Sequence, residues 1–343
     1  MKKILIWTGV AVFSLAAIGA AGAYWVWQDM QLTLDQPISL PMHNATFEIE
    51  RGATLKQVAD RLHSKGWLKN SLYLRIEARR AQVASQVKAG LYDVADASTP
   101  RELLTQFVSG DVKVFRITFV EGATFREIRD VLTTTEDLVS TIEDRQNSWV
   151  AAQISASLTN VEGQLFPSTY YFSHGDTDID VLRRAHARMQ ELLAVYWASR
   201  TPDLPYKTAQ EALTMASIVE KETGQGNERA TIAGVFVRRL QLNMKLQTDP
   251  TVIYGLGESF DGNLRRVDLE SDTPYNTYTR TGLPPSPIAM PGEAAIRAAL
   301  NPKVGKALYF VGKGDGSHEF STNLEDHNAA VRRYQIMPAR SRR

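Results

Sequence analysis

From Ile4 to Gln28 the chain carries no charged residue, and the apolar run ILIWTGVAVFSLAAIGAAGAYWVW (Ile4–Trp27) is 24 residues long. As a helix rising about 1.5 Å per residue it would extend roughly 36 Å, enough to cross a bilayer with some tilt. Trp7 lies near one end and Tyr24, Trp25 and Trp27 at the other, where amphipathic rings suit the two membrane–water interfaces. Lys2 and Lys3 ahead of the run favour a cytoplasmic N-terminus. A cleaved signal peptide is the competing reading, with Ala21-Gly22-Ala23 as its cleavage site. Its apolar core would exceed the usual length of about 7–15 residues, and aromatic residues follow the site directly. The sequence therefore predicts a cytoplasmic stub (1–3) and a transmembrane helix (4–27), with everything after it exported. No second long apolar run follows, so the expected location is the cell inner (cytoplasmic) membrane, single-pass, with a periplasmic or extracytoplasmic body.

At roughly 150 residues per domain, 343 residues suggest about two globular domains. The 39 Lys+Arg against 38 Asp+Glu leave a net charge of +1, without the basic field of a nucleic-acid binder. The absence of cysteine excludes disulfides, thiolate catalysis and Cys-type zinc sites. Six histidines are scattered without zinc-ligand spacing, and neither a G-x-S-x-G nor a P-loop occurs, so neither metal nor cofactor is expected.

Residues 28–45 are polar, include Pro37 and Pro41, and are predicted as an extended stalk. Ala45–Gly52 then alternates like a strand ending in a glycine turn, and Thr54 with Gln57 forms a capping box for a helix over Leu55–Lys65. The pattern returns: FEIERGATLKQVADRL (Phe47–Leu62) is echoed by ITFVEGATFREIRDVL (Ile117–Leu132), again with a capping box, Thr124 to Glu127. Both are either ordinary strand–turn–helix starts or, for the first, the opening of an extracytoplasmic module that resembles the LysM type. Residues 46–113 are assigned to that small βα module, with further helices at Asn70–Ala84 and Thr99–Val108, the latter with Pro100 at its first position. A larger domain, 114–338, follows, with helices at Asp178–Ser199, Thr208–Thr223, Glu228–Leu242 and Gly292–Leu300 and a short strand at Tyr309–Val311. Residues 339–343 form a basic tail. The fold class expected is α+β.

The helix over Thr208–Thr223 carries the most chemistry. Thr208 and Glu211 form a capping box, and Ala209, Ala212, Leu213, Met215, Ala216 and Val219 share one broad arc. Glu220 falls inside that arc and Glu222 on its edge. A carboxylate on a core-facing side is costly unless paired or protonated, and burial raises its pKa toward what a general acid needs. A salt-bridged Glu220 is the plain alternative. Four other stretches, Glu162–Tyr171, Leu246–Thr251, Tyr275–Thr279 and Gly282–Ile288, combine Asn, Gln, Thr and Tyr with glycine and proline. Such loops suit a groove that grips amide-bearing sugars, or are plain turn chemistry.

Together these segments resemble the endolytic murein transglycosylases, the MltG or YceG-like family. The likeness rests on Glu162-Gly-x-Leu-Phe-Pro-x-Thr-Tyr170, Ala216-Ser-Ile-Val-Glu-Lys-Glu-Thr223, Ile232-Ala-Gly-Val-Phe236, Leu246-Gln-Thr-Asp-Pro-Thr251, Tyr275-Asn-Thr-Tyr278 and Gly282-Leu-Pro-Pro285. Arg238 departs from the Asn frequent before the matched Arg239. The resemblance implies a membrane-anchored lytic transglycosylase that cuts the β-1,4 bond between N-acetylmuramic acid and N-acetylglucosamine within peptidoglycan strands, leaving 1,6-anhydro ends and terminating glycan polymerisation. It implies Glu220 as catalytic residue, with Gln247, Thr248, Asp249, Tyr275, Asn276 and Glu162 as substrate-binding residues. Membrane-bound peptidoglycan synthases are the implied partners. The alternatives are an inverting muramidase-type glycoside hydrolase using Glu220 and Asp249, and a non-catalytic glycan-binding scaffold.

Overall fold

A computed structural model of the protein describes residues 2–40 and 45–336, with side chains from Trp7 onward. Met1 of the predicted stub, residues 41–44 of the predicted stalk and the basic tail lie outside the described residues. The N-terminal helix α1 spans Lys2–Leu34 and is long and apolar enough to cross a membrane. It does not stop at Trp27: the first part of the predicted stalk is two further helical turns. No proline interrupts the chain before Pro37, and Met30 and Leu34, four residues apart, enter a hydrophobic core together with Ile38. Asp29 accepts a hydrogen bond from the Tyr73 hydroxyl (2.8 Å), while Arg101 donates to Gln31 (2.8 Å) and Asp35 (2.7 Å). Tertiary packing thus extends the helix past the point where its apolar run ends.

Two compact units divide the chain. The first reaches Phe115 and includes 173–175. After α1 it contains β1 (Ala45–Ile49), α2 (Leu55–Ser64), α3 (Ser71–Arg80), β2 (Gly90–Val94) and α4 (Pro100–Ser109). β1 pairs antiparallel with β2, with Phe47 opposite Tyr92. The Phe107 ring packs on both, with centroids at 5.6 Å and 4.8 Å. The Thr54–Gln57 capping box and Pro100 at the start of α4 stand as predicted. α3 ends at Arg80, four residues short of the expected Ala84, because Gln82 adopts a left-handed φ of 59° that a helix cannot continue through.

The second unit holds 116–172 and 176–343. Its elements are most of β3 (Val114–Thr118), α5 (Phe125–Thr133), α6 (Asn147–Ile154), most of β4 (Thr169–Ser173), α7 (Asp178–Ala198), α8 (Ala209–Glu222) and α9 (Arg229–Gln241). Then come α10 (Asp249–Leu256), α11 (Arg266–Glu270), α12 (Glu293–Leu300), β5 (Tyr309–Gly312), β6 (His318–Ser321) and α13 (Leu324–Val331). β3 pairs with β4, and β5 and β6 form an antiparallel hairpin, so the whole is a mixed helix-and-sheet, α+β protein.

α8 is the axis of this unit. Residues Ala212 to Val219 are buried without a break, packed among α7, α9 and α12. A helix covered all round is a core helix rather than an amphipathic one, which widens the single arc expected from spacing. The two polar residues in the stretch are internally satisfied: Thr214 donates to the Gln210 carbonyl (3.1 Å) and Ser217 to that of Thr214 (2.7 Å). The cap of α8 is half of the predicted box. Thr208 accepts from the Glu211 N–H, but the Glu211 carboxylate takes the N–H of Lys207 (2.5 Å).

Candidate functional site

The C-terminal turn of α8 carries both glutamates. Two residues apart on a helix means about 200° of rotation, so Glu220 and Glu222 face different surroundings.

Glu220 is locked into an ion pair. Arg229, near the start of α9, places Nη2 3.1 Å from Glu220 Oε1, and the Gly292 N–H at the N-terminus of α12 donates to Oε2 (2.9 Å). The Glu220 side chain is only 5% exposed and that of Arg229 15%. Burial, with the nearby Glu121 charge, leaves the Glu220 carboxyl raised, although the Gly292 N–H and the Arg229 charge oppose the shift. Beside it, Lys221 donates to the Gly122 carbonyl (3.1 Å).

Glu222 opens instead on a cavity of about 560 Å³, whose polar lining includes Arg239, Gln247, Asp249, Tyr278 and His318. The Thr248 hydroxyl donates to Glu222 Oε1. Burial pushes the Glu222 carboxyl up to about 7, helped by the nearby Asp249 charge and opposed by Thr248, His318 and Arg239. The surrounding groups are held firmly. Tyr278 donates to Asp249 Oδ1 (2.5 Å), and the His318 ring meets Glu228 through Nδ1 (2.6 Å). Arg239 donates to the Leu308 and Leu246 carbonyls (2.7 and 2.9 Å), pinning the β5 end of the cavity to the loop that carries Gln247. Gln247 itself has a φ of 52°, a left-handed kink that ends the loop and delivers Thr248 to the N-terminus of α10. Asp249-Pro250, readable from sequence as a turn, is this helix start.

The predicted set thus divides three ways. Gln247, Thr248 and Asp249 gather around Glu222, not around Glu220. Glu162 lies deep against α5 and α10, accepting the Phe125 N–H at both oxygens (3.1 and 3.2 Å) and the Tyr254 hydroxyl (3.2 Å). Burial pushes its carboxyl up to about 7 as well. Tyr275 packs edge-on against Tyr254 and reaches Ser286 (2.7 Å). Asn276 is held by neighbouring backbone. It is buried, with Nδ2 capping the carbonyls of Asp268, Leu269 and Ser271 at the end of α11 (3.2, 3.0 and 2.7 Å).

Sequence reasoning did not single out Glu222, Tyr278, Arg239 or the His318–Glu228 pair as site residues. Glu222 at the edge of the α8 arc was the available signal; the others come from separate segments that only the fold unites. Among the described residues, no group of three or more His, Asp or Glu is arranged to hold a metal ion.

Glu162 and Glu222 make a pH prediction. Both carboxyls titrate near 7 when folded, above the 4.5 of an unperturbed glutamate. The folded state therefore holds protons that the unfolded chain has already lost, and the stability that these two groups contribute is fully present below about 4.5 and is lost as pH rises through about 7. A thermal-melt series should show Tm falling across that window, and Glu222→Gln should flatten the fall. A Tm that rises from pH 4.5 to 7 would contradict the raised carboxyls.

Comparison with known proteins gives a consistent result. The sequence profile of the YceG-like family matches residues 47–333. An endolytic murein transglycosylase from Bacillus subtilis is 32% identical over 268 residues, covering 73% of this chain and 74% of that protein. One from Streptococcus pneumoniae is 26% identical over 355 residues, covering 92% of this chain but 63% of the longer relative. The crystal structure of a yceG-like protein from Listeria monocytogenes matches with a TM-score of 0.54 at 29% identity, over 84% of this chain and 98% of the other.

Proposed function

The chain belongs to the YceG-like family, and we propose that it is an endolytic murein transglycosylase whose proton-transfer group is Glu222 rather than Glu220. One observation carries the residue assignment: of the two glutamates on α8, Glu222 opens on a polar cavity with its carboxyl near 7, while Glu220 is tied up by Arg229 and Gly292.

The reaction needs one carboxyl used twice. Protonated Glu222 donates to the glycosidic oxygen between N-acetylmuramic acid and N-acetylglucosamine. The C1–O bond breaks, and the N-acetylglucosamine side leaves as an alcohol. The Glu222 carboxylate then accepts the proton of the muramic acid C6 hydroxyl, whose oxygen bonds to C1 and closes the 1,6-anhydro ring. No water enters, and the intramolecular nucleophile replaces the second catalytic carboxylate that a hydrolase requires. A group titrating near 7 is poised for both proton transfers at neutral pH. Gln247 and the Tyr278–Asp249 pair would orient the sugar, and Arg239 would balance the negative charge that Glu222 acquires as it gives up its proton.

The inverting-hydrolase alternative called for Glu220 with Asp249. The charged groups acting on Glu220 are Arg229, Glu121 and Lys221, whereas Asp249 acts on Glu222, so that pairing has no geometric support. Helix α1 supports membrane anchoring, with the body beside the bilayer, where nascent strands leave membrane-bound synthases and cutting would end their polymerisation. The β1-α2-α3-β2 order supports reading the small unit as LysM-like and glycan-holding. Mass spectrometry of products from purified peptidoglycan tests the chemistry. Anhydro ends are expected. Reducing ends, heavier by one water, would favour a hydrolase, and binding without products would favour a scaffold.

A further inference from the structure

The second unit contains a larger cavity, about 840 Å³, that the mechanism does not use. Two stretches singled out in the sequence converge on it: the segment that starts at Glu162 and the proline loop Gly282–Pro287. They are built together. The backbone at Gly163, with φ of 76°, runs so close to Pro287 that a Cβ there would sit 2.2 Å from the proline Cβ. The next residue of the loop, Ile288, donates its N–H to Ser217 on α8 (3.0 Å).

The polar groups of this cavity describe a ligand. Gln164, 5% exposed, is the floor. It donates to Gln210 (2.6 Å) and accepts from Gln190 (3.2 Å), forming a bank of three carboxamides. Lys207 and His186 bring potential cations to the lining, and Glu211 and Glu162 bring carboxyl groups. Among the described residues no Phe, Tyr or Trp lines it, so it lacks the flat ring on which a sugar stacks. Carboxamides pair with the N–H and C=O of peptide bonds, and charges of both signs answer a ligand carrying carboxylates and an amine.

We propose that this cavity binds the peptide stem borne by the muramic acid of the glycan, which would make the enzyme selective for peptide-bearing strands. The proposal rests on the murein-cleaving function above. The spacing fits. Thr214 lines the cavity and lies eight residues before Glu222, about 12 Å along α8, and a stem of four residues extends about 13 Å.

The test uses the full chain in detergent with two substrates, glycan strands carrying their stem peptides and the same strands stripped by an amidase. The wild type is expected to show kcat/KM about tenfold higher on peptide-bearing strands, the size of one or two charge-assisted hydrogen bonds. Lys207→Ala and Gln210→Ala, both at the exposed rim, should bring the ratio toward one. Independently, a synthetic stem tetrapeptide should bind the Glu222→Gln protein, and about tenfold more weakly once Lys207→Ala is added. A wild-type ratio of one, or variants that leave both ratio and peptide binding unchanged, overturns the proposal. Cleavage of neither substrate would instead count against the murein-cleaving function, and peptide binding would then decide the cavity by itself.

Discussion

Glu222→Gln is expected to slow glycan cleavage by roughly 10²–10⁴-fold, the contribution typical of a positioned acid–base group. The substitution keeps the side-chain shape and can still accept the Thr248 hydroxyl, so the cavity should persist while the transferable proton is lost. Folding should not suffer, because the carboxyl removed is one that burial holds against ionisation. Glu220→Gln is expected to behave differently. Its amide oxygen can keep the Gly292 N–H, but the pairing with Arg229 is lost, so the change should appear first in Tm and only secondarily in rate. The measurement is the release of anhydro-ended products from purified strands by both variants, alongside melting curves. A Glu222→Gln protein with wild-type turnover, beside an inactive Glu220→Gln protein of unchanged Tm, would return the catalytic role to Glu220. The pH profile adds a second readout. The protonated acid is depleted as pH rises through about 7, so wild-type activity should decline above that value.

Arg229→Met is expected to destabilise the second unit by about 3–5 kcal/mol, the cost of leaving one partner of a buried ion pair uncompensated. For a unit of this size that corresponds to a Tm loss on the order of 10 °C. The reason is geometric: Glu220 sits where α8, α9 and α12 meet, with one backbone N–H besides the guanidinium to satisfy it. The loss should shrink in acid, because an unpaired carboxyl takes up a proton and leaves a neutral group. The double variant Glu220→Gln/Arg229→Met should lose less than the two single losses combined, as residues sharing one interaction do. Strict additivity, or a Tm for Arg229→Met equal to wild type, would show that the pair does not hold the three helices together.

Much of this architecture is written locally. The capping boxes at Thr54, Thr99 and Thr124 are formed by side chains three residues apart, so their helices start where the residues say they should. The apolar spacing of α2 and the proline at the start of α4 are equally local. Legibility fails where the deciding partner is remote. The residues after Trp27 are polar enough to suggest a stalk, but Tyr73 and Arg101 give them helical work. Asn276 reads as a groove amide, yet the carbonyls at the end of α11 consume it. Gln247, Thr248 and Asp249 read as neighbours because they are consecutive, but that they surround Glu222 and not Glu220 depends on how α10 packs against α8.

By itself the sequence determined a helix long and apolar enough to cross a membrane, most of the other helices and their caps, and the family. These are properties of runs, spacings and composition, each complete within a short stretch of chain. Only the tertiary structure decided which carboxyl meets the cavity. Helical periodicity gives the angle between Glu220 and Glu222, but the side that becomes core, ion pair or cavity depends on what packs there. α8 is sheathed on every side, so its own pattern carries no preferred face. Arg229 and Gly292 close off one glutamate, and Thr248, Asp249 and Tyr278 build the cavity around the other.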